Sequence, residues 1–324
     1  MNRRQISTYL AASVFAPPAV RAQQASRTYR IAFVSLPVSL SGRNPATEFA
    51  LAGLQSMGFV EGRNLTVEWI GVGVAEDHLV DAVKKAIAAG PDLLMAGGSY
   101  IKFAKAATST IPIVGLSDDM LREGHVASLA RPGGNVTGVS ILATELDGKR
   151  LDILIEALPK ALRIAVLADL RPQVPAHYEN LRAAVRSSMV ELSLLRAGNA
   201  QEIEAALKQA RQQGDEAVNV LASPVPFVHR KVLFATAKTL RLPVMYQWPE
   251  GAAEGALLCY GPGYADSYRL WGVMAGKILR GAKPSDLPIE QPTAFRLAVN
   301  LKVAREFGIT LPSRLVERAD QVVE

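Results

Sequence analysis

Runs of aliphatic and β-branched residues alternate with stretches of helical spacing along this chain, and the alternation is played through twice. In the first half, residues 30–36, 65–69, 92–96, 111–116 and 136–139 read as strands, and 44–57, 75–89 and 99–108 carry helical spacing or strong helix formers. In the second half, strands at 163–168, 191–195, 217–221 and 243–246 alternate with helices near 175–189, 200–213 and 228–240. A strand followed each time by a helix joins its neighbour through a crossover, which makes the sheet parallel and places helices on both its faces. A chain of 324 residues is too long for one ordinary compact domain. The pattern therefore predicts two α/β lobes, each a doubly wound parallel sheet.

Local signals mark where the lobes meet. In residues 126–140, VASLARPGGNVTGVS, Arg131 and Pro132 stop a helix, Gly133 and Gly134 permit positive φ, and 135–139 reads as a strand. The second lobe then opens with Thr144 and Asp147 at capping-box spacing, followed by Leu151, Leu154, Ile155 and Leu158 on one helical face. Toward the C-terminus, 256–260 reads as a strand, and Tyr264, Tyr268, Trp271, Ala275 and Ile278 form one helical stripe ended by Gly281 and Pro284. Residues 295–300 give a last strand.

Residues 1–22 have the layout of a bacterial export signal: Arg3 and Arg4, a short apolar stretch from Tyr9 to Ala16, Pro17 and Pro18, then small residues Val20 and Ala22 flanking Arg21. Cleavage is expected after Ala22. The apolar stretch is shorter than the roughly 20 residues that a membrane span needs. The paired arginines suit a twin-arginine signal, while Ile6 and Ser7 depart from its usual Phe-Leu, so the twin-arginine and general export routes both stay open.

Composition excludes several function classes. With 49% hydrophobic and 20% charged residues the chain can bury a sizeable core. Its formal charge of +6 falls to +3 once the three leader arginines are removed, and no basic run is interleaved with aromatics, so nucleic acid is not an expected partner. Cys259 is the single cysteine, which rules out an intrachain disulfide and a cysteine-built zinc site and reads as a packing residue. His78, His125, His177 and His229 lie one per segment without an i, i+4 partner. The Gly-Lys pair at Gly148–Lys149 lacks the upstream Walker glycine, no Gly-x-Ser-x-Gly elbow is present, and the glycine pairs at 71/73 and 261/263 lack the third glycine of a dinucleotide fingerprint. No enzyme, metal or cofactor is expected.

Open parallel sheets bind ligands at the carboxyl ends of their strands. In the first half these ends span 35–39, 97–100 and 117–119, with Ser35, Ser39, Gly98, Ser99, Tyr100 and Asp118 as candidates; in the second they span 169–174, 223–227 and 246–250, with Asp169, Ser223, Pro224, Phe227, Tyr246 and Trp248. Thr144, at the mouth of the second lobe, joins the candidate set. Gly98 allows close backbone approach, and Ser99 heads a helix whose free N–H groups attract a carboxylate, or simply caps it. Asp118 suits an ammonium group. Phe227, Tyr246 and Trp248 offer stacking surface, with core packing the competing reading for Phe227 and Trp248.

Four words, FVEGRNLTVEW (59–69), VASLARPGGNVTGVS (126–140), YGPGYADSYR (260–269) and LPIEQPTAFRLAVNLKVAREFGITLP (287–312), occur in an order that resembles the periplasmic solute-binding proteins of ABC importers, and more narrowly the group of tryptophan and tyrosine binders. The resemblance runs from about Tyr29 to the C-terminus. It implies a type I periplasmic binding fold with a three-segment hinge, a first lobe of 28–140 plus about 254–285, and a second of 141–253 plus about 286–324. It also implies that the strand near 256–260 and the helix after it return to the first lobe. A monomer of the periplasm is then expected, which closes on an amino acid or related carboxylate and serves an inner-membrane permease with its ATPase. Three rivals remain: the sensor half of a repressor, which has a helix-turn-helix where this chain has a leader; a two-domain α/β enzyme; and a binding protein that serves a signalling receptor.

Overall fold

A computed structural model describes residues 27–34, 45–70, 78–170, 174–185 and 189–324. The expected leader and the candidates Ser35 and Ser39 lie outside them. In the first sheet, β1 (Tyr29–Val34), β2 (Leu65–Ile70), β3 (Leu93–Gly97), β4 (Ile113–Ser117) and β5 (Val136–Ser140) run parallel in the order β2-β1-β3-β4-β5. The helices α1 (Pro45–Ser56), α2 (Leu79–Ala88) and α3 (Ile101–Ala107) supply crossovers. β4 and β5 are buried along their whole length, as apolar runs between two helix layers should be.

The second half starts with α4 (Ala143–Ala157) and continues as β6 (Arg163–Ala168), α5 (Val174–Ala184), β7 (Glu191–Arg196), α6 (Ala200–Gln213) and β8 (Ala217–Val220). It goes on through α7 (Pro224–Val228), α8 (Arg230–Leu240), β9 (Val244–Tyr246), α9 (Gly251–Glu254) and β10 (Leu258–Gly261) to the long α10 (Tyr264–Leu279). The chain ends with β11 (Arg296–Asn300), α11 (Leu301–Phe307), α12 (Ser313–Glu317) and β12 (Gln321–Val323). The second sheet runs β12-β11-β10-β9-β8-β6-β7, with β10 and β11 antiparallel. Its stretch β7-β6-β8-β9-β10 repeats the strand order of the first sheet, including the switch point between its first and third strands.

This repeat corrects one expectation. The strand after residue 256 stays in the second sheet, where β10 pairs with β9 and β11, and only α10 returns to the first lobe. There α10 packs on β3, β4 and β5 and along α1, while α4, which follows β5, packs on β8, β9 and β10. Each fifth strand thus hands its helix to the other sheet. A third connection runs back from α10: Glu290 bridges Val139 of β5, Ser140 N–H donates to Glu290 O (2.9 Å), and the chain enters the second sheet at β11. The lobes are therefore joined near residues 141–142, 262–263 and 291–295.

Close helix contact makes the α10 exchange specific. At Gly272 a Cβ would lie 1.9 Å from the Ala50 carbonyl oxygen, and at Gly53 one would lie 2.1 Å from that of Arg269. Any side chain at either place pushes the two backbones apart. Trp271, Met274, Ala275, Ile278 and Leu279 are buried on α10. Burial of side chains of the larger kind stabilises by about 1.5–3 kcal/mol each.

Helix α6 shows how local sequence sets an element. The Asn199 side chain accepts from Glu202 N–H (2.9 Å) as N-cap, Ile203, Ala206, Leu207 and Ala210 form the buried stripe, and Gly214 ends it at φ 82°. Helix α4 departs from the predicted capping box. Its N-cap is Leu142, at φ 57°, with no side-chain cap bond. The Asp147 carboxylate instead receives Arg150 Nη1 (2.6 Å) and lies 2.7 Å from His177 Nε2, and Arg150 Nε donates to Tyr260 O (2.7 Å). Asp147 and Arg150 are 2% and 1% exposed, so each depends on the other's charge far more than a helix end depends on a cap.

Candidate ligand-binding cleft

A cavity of about 90 Å³ lies where the carboxyl ends of the two sheets face each other. Sheet topology dictates this place: at a switch point neighbouring crossovers leave on opposite faces and open a crevice. The first lobe contributes Phe33 at the end of β1, Thr47 in α1, Gly97, Gly98 and Tyr100 after β3, and Ser117 and Asp118 at the end of β4. The second contributes Ser223, Phe227 and Val228 around α7, and Gln247 and Trp248 just beyond β9. Tyr268 and Trp271 of α10 also line it, with Leu116 of β4 and Ile141 just beyond β5.

Aromatic rings form a continuous wall across the lobes. Trp248 meets Phe227 edge-on (6.1 Å between centroids), Phe227 stacks on Tyr268 (6.1 Å, 20°), Tyr268 meets Trp271 (5.8 Å) and Trp271 meets Phe33 (4.9 Å). Trp271 is itself held, since its Nε1–H donates to Val114 O (2.9 Å). Such rings offer flat apolar contact with little rotamer freedom to lose. Burial, with a smaller contribution from the Asp118 charge, pushes the Tyr268 phenol well up, so the ring stays neutral.

Polar groups differ between the walls. On the first lobe Ser117 Oγ donates to Glu123 Oε2 (2.8 Å), which also lies 3.0 Å from His125 Nε2. With its one proton committed, Ser117 faces the cavity as an acceptor. Asp119 Oδ1 accepts the N–H groups of Leu121 and Arg122 (3.1 and 3.0 Å) and so caps the following turn, whereas Asp118 lines the cavity. On the second lobe Ser223 Oγ, Gln247 Oε1 and Trp248 Nε1 are buried with no hydrogen-bond partner, their residues only 2–3% exposed. Ser223 stands at the N-cap of α7 without making a cap bond. Leaving such groups unpaired costs about 1–3 kcal/mol each, a cost that a ligand's polar atoms would remove.

A family model described as ABC transporter substrate binding protein matches residues 31–323, almost the whole described chain. The chain belongs to that family. A tyrosine-binding protein of Clostridioides difficile (strain R20291) is 22% identical over 259 residues, covering 77% of this chain and 72% of that protein. Among solved structures, a conserved domain protein from Vibrio cholerae superposes with TM-score 0.80 at 22% identity, and an ABC domain from Streptococcus pneumonia in complex with L-Trp with TM-score 0.79 at 19% identity. Each covers 91% of this chain and all of the matched one. The chain has the type I periplasmic binding fold, and its family is one of substrate-binding proteins and not of enzymes.

In this substrate-binding protein, six of the residues picked from strand ends line the cavity: Gly98, Tyr100, Asp118, Ser223, Phe227 and Trp248. Tyr246 does not. Side chains alternate along β9, so Tyr246 points into the core and meets Phe234 edge-on (5.2 Å), and Gln247 is the residue that reaches the cavity. Asp169 is buried at the end of β6 outside the lining, its backbone oxygen accepting from Arg196 Nε (3.2 Å). Ser99 lies in a 3₁₀ turn before α3, Thr144 in the first turn of α4 and Pro224 at the start of α7; their side chains are outside the described set. Thr47, Ser117, Gln247, Tyr268 and Trp271 were not among the candidates. Ser117 and Gln247 lie within the strand-end ranges 117–119 and 246–250 but were not singled out there, whereas Tyr268 and Trp271 reach the cleft only because α10 changes lobe.

Proposed function

We propose that this chain is the solute-capturing component of an ABC importer, which holds a small organic solute, an amino acid or related carboxylate, between its lobes and delivers it to an inner-membrane permease with its ATPase. On this reading residues 1–22 are an export leader cut after Ala22, and the mature protein works as a monomer in the periplasm. No helix among the described residues is long and apolar enough to cross a membrane.

The observation that carries the reading is the unequal cleft. Acceptors Asp118 and Ser117 stand on one lobe, the unpartnered Ser223, Gln247 and Trp248 on the other, and an aromatic wall joins them. A solute that touches both sets favours the closed arrangement by its differential affinity for it. Asp118 takes an ammonium group, and the rings cover the remainder. The three connections between the lobes are the hinge.

Native mass spectrometry of the purified mature protein tests this, together with small-angle scattering before and after solute removal. A bound small molecule, and a larger radius of gyration once it is stripped, are expected. A protein that carries no solute, and whose scattering no amino acid or small carboxylate changes, ends the proposal.

A further inference from the structure

Phe227 is the ring on which the size of the solute turns. It stands in the short helix α7 of the second lobe, half-buried, and lines the cavity. Its ring stacks on Tyr268 (6.1 Å, 20°) and meets Tyr264 (5.9 Å) and Trp248 (6.1 Å) edge-on. Tyr264 and Tyr268 belong to α10, which packs on the first sheet, so two of these contacts cross from lobe to lobe. Arg230 holds its guanidinium 5.0 Å from the same ring, donates from Nη1 to Phe227 O (3.1 Å), and is itself bound through Nε to Glu254 (2.7 Å). Three rings and an anchored cation thus fix Phe227 in place.

The room that remains is small. One water needs about 10–15 Å³ of space of this kind, so a cavity of about 90 Å³ admits on the order of six to nine non-hydrogen atoms. An amino acid up to the size of leucine stays within that number, whereas an alanine skeleton that carries a phenyl, phenol or indole ring exceeds it. The shortfall is about one aromatic ring, and one aromatic ring is what Phe227 puts into the cleft. A solute draws two lobes together by touching both. Here the stack of Phe227 on Tyr268 is such a contact, made by the protein with a ring of its own.

We infer that Phe227 sets the size of the solute: its ring fills the space that an aromatic side chain of the solute would take between the lobes, so the solute is a compact, non-aromatic amino acid or carboxylate. The inference rests on the solute-receptor reading above and narrows its ligand class.

The test is titration calorimetry with matched sets, L-alanine and L-leucine against L-phenylalanine, L-tyrosine and L-tryptophan, and L-lactate against L-phenyllactate. Wild type, Phe227→Ala and Phe227→Leu are compared, with circular dichroism confirming that each is folded. A compact member should bind wild type about tenfold or more tightly than its aromatic counterparts, since even one surplus methylene in a closed pocket is worth about that much. Phe227→Ala should shrink the ratio by about tenfold or more, with Phe227→Leu between the two. An aromatic member that binds wild type as tightly as a compact one overturns the size role, and so does a variant that weakens both kinds alike. If wild type binds no member, the native mass spectrum decides: a co-purified solute of up to about nine non-hydrogen atoms upholds the inference, and a larger or aromatic one overturns it while leaving the solute-receptor reading intact. Only a protein that carries no solute and binds none takes both readings down together.

Discussion

The two walls of the cleft are built on opposite economies of hydrogen bonding. On the first lobe Ser117 is tied to Glu123, Glu123 to His125, and Asp119 to the turn that follows it. On the second, three buried polar atoms have no partner within the protein. A wall that satisfies itself is rigid before any solute arrives, and a wall that does not is less stable alone than in a complex. Substitutions on the two walls should therefore move the stability of the solute-free protein in opposite directions.

The harshest way to break this contrast is to remove what both walls lean on. Trp271→Ala deletes a ring that is 1% exposed and packs against Phe33 and Tyr268. It should cost about 3–5 kcal/mol in urea denaturation. A loss below ~1 kcal/mol would show that the aromatic wall is not a shared support. Glu123→Ala should cost less, about 1–3 kcal/mol, since it strips the partner from Ser117 and from His125 while the core stays filled. Gln247→Leu and Ser223→Ala should leave the solute-free protein unchanged or raise its stability by up to about 1 kcal/mol, because each removes an unpartnered polar atom. Destabilisation by these two as large as that of Glu123→Ala would abolish the distinction between the walls.

A pH series gives the smallest effect. Glu250, just beyond Trp248, accepts the N–H groups of Tyr264 and Ala265 at the start of α10 (3.3 and 3.4 Å). Burial holds its carboxyl above the ordinary 4.5, although those backbone donors and Arg296 pull it down. A carboxyl raised on folding binds its proton more tightly in the folded state, so stability falls as pH rises from 4.5 through the folded value. In Glu250→Gln that portion of the slope should vanish. A variant with the wild-type slope would place the titration elsewhere.

Much of this was legible in the sequence because periodicity reports burial directly. β6 and α6 fall where the pattern places them, since apolar runs bounded by polar turns leave little choice of register. The strand-end rule likewise led to Gly98, Asp118, Ser223 and Trp248. Side-chain direction within a short strand was harder to read: in a run buried on both faces no polar alternation tells Tyr246 from Gln247, and the hydrophobic ring reads as the better ligand. The return of α10 to the first lobe came from the family resemblance and not from periodicity, and the resemblance carried β10 along with it, which the structure does not. The α10 stripe of Tyr268, Trp271 and Ala275 shows that something covers it but not which sheet does, and β10 had to be seen pairing with β9 before the crossing could be placed at 262–263. The capping box at Thr144 lost to burial: Arg150, one turn further along the same helix and buried, takes the Asp147 carboxylate.

The reciprocal trade of helices also bears on synthesis. Because the cover of β3, β4 and β5 is drawn from residues 264–279, a ribosome that has released only the first half has produced a sheet with one apolar face bare. That face stays uncovered until about 140 further residues, which hold most of the second lobe but not its last two strands, have emerged, so the halves of this protein mature together and not in turn.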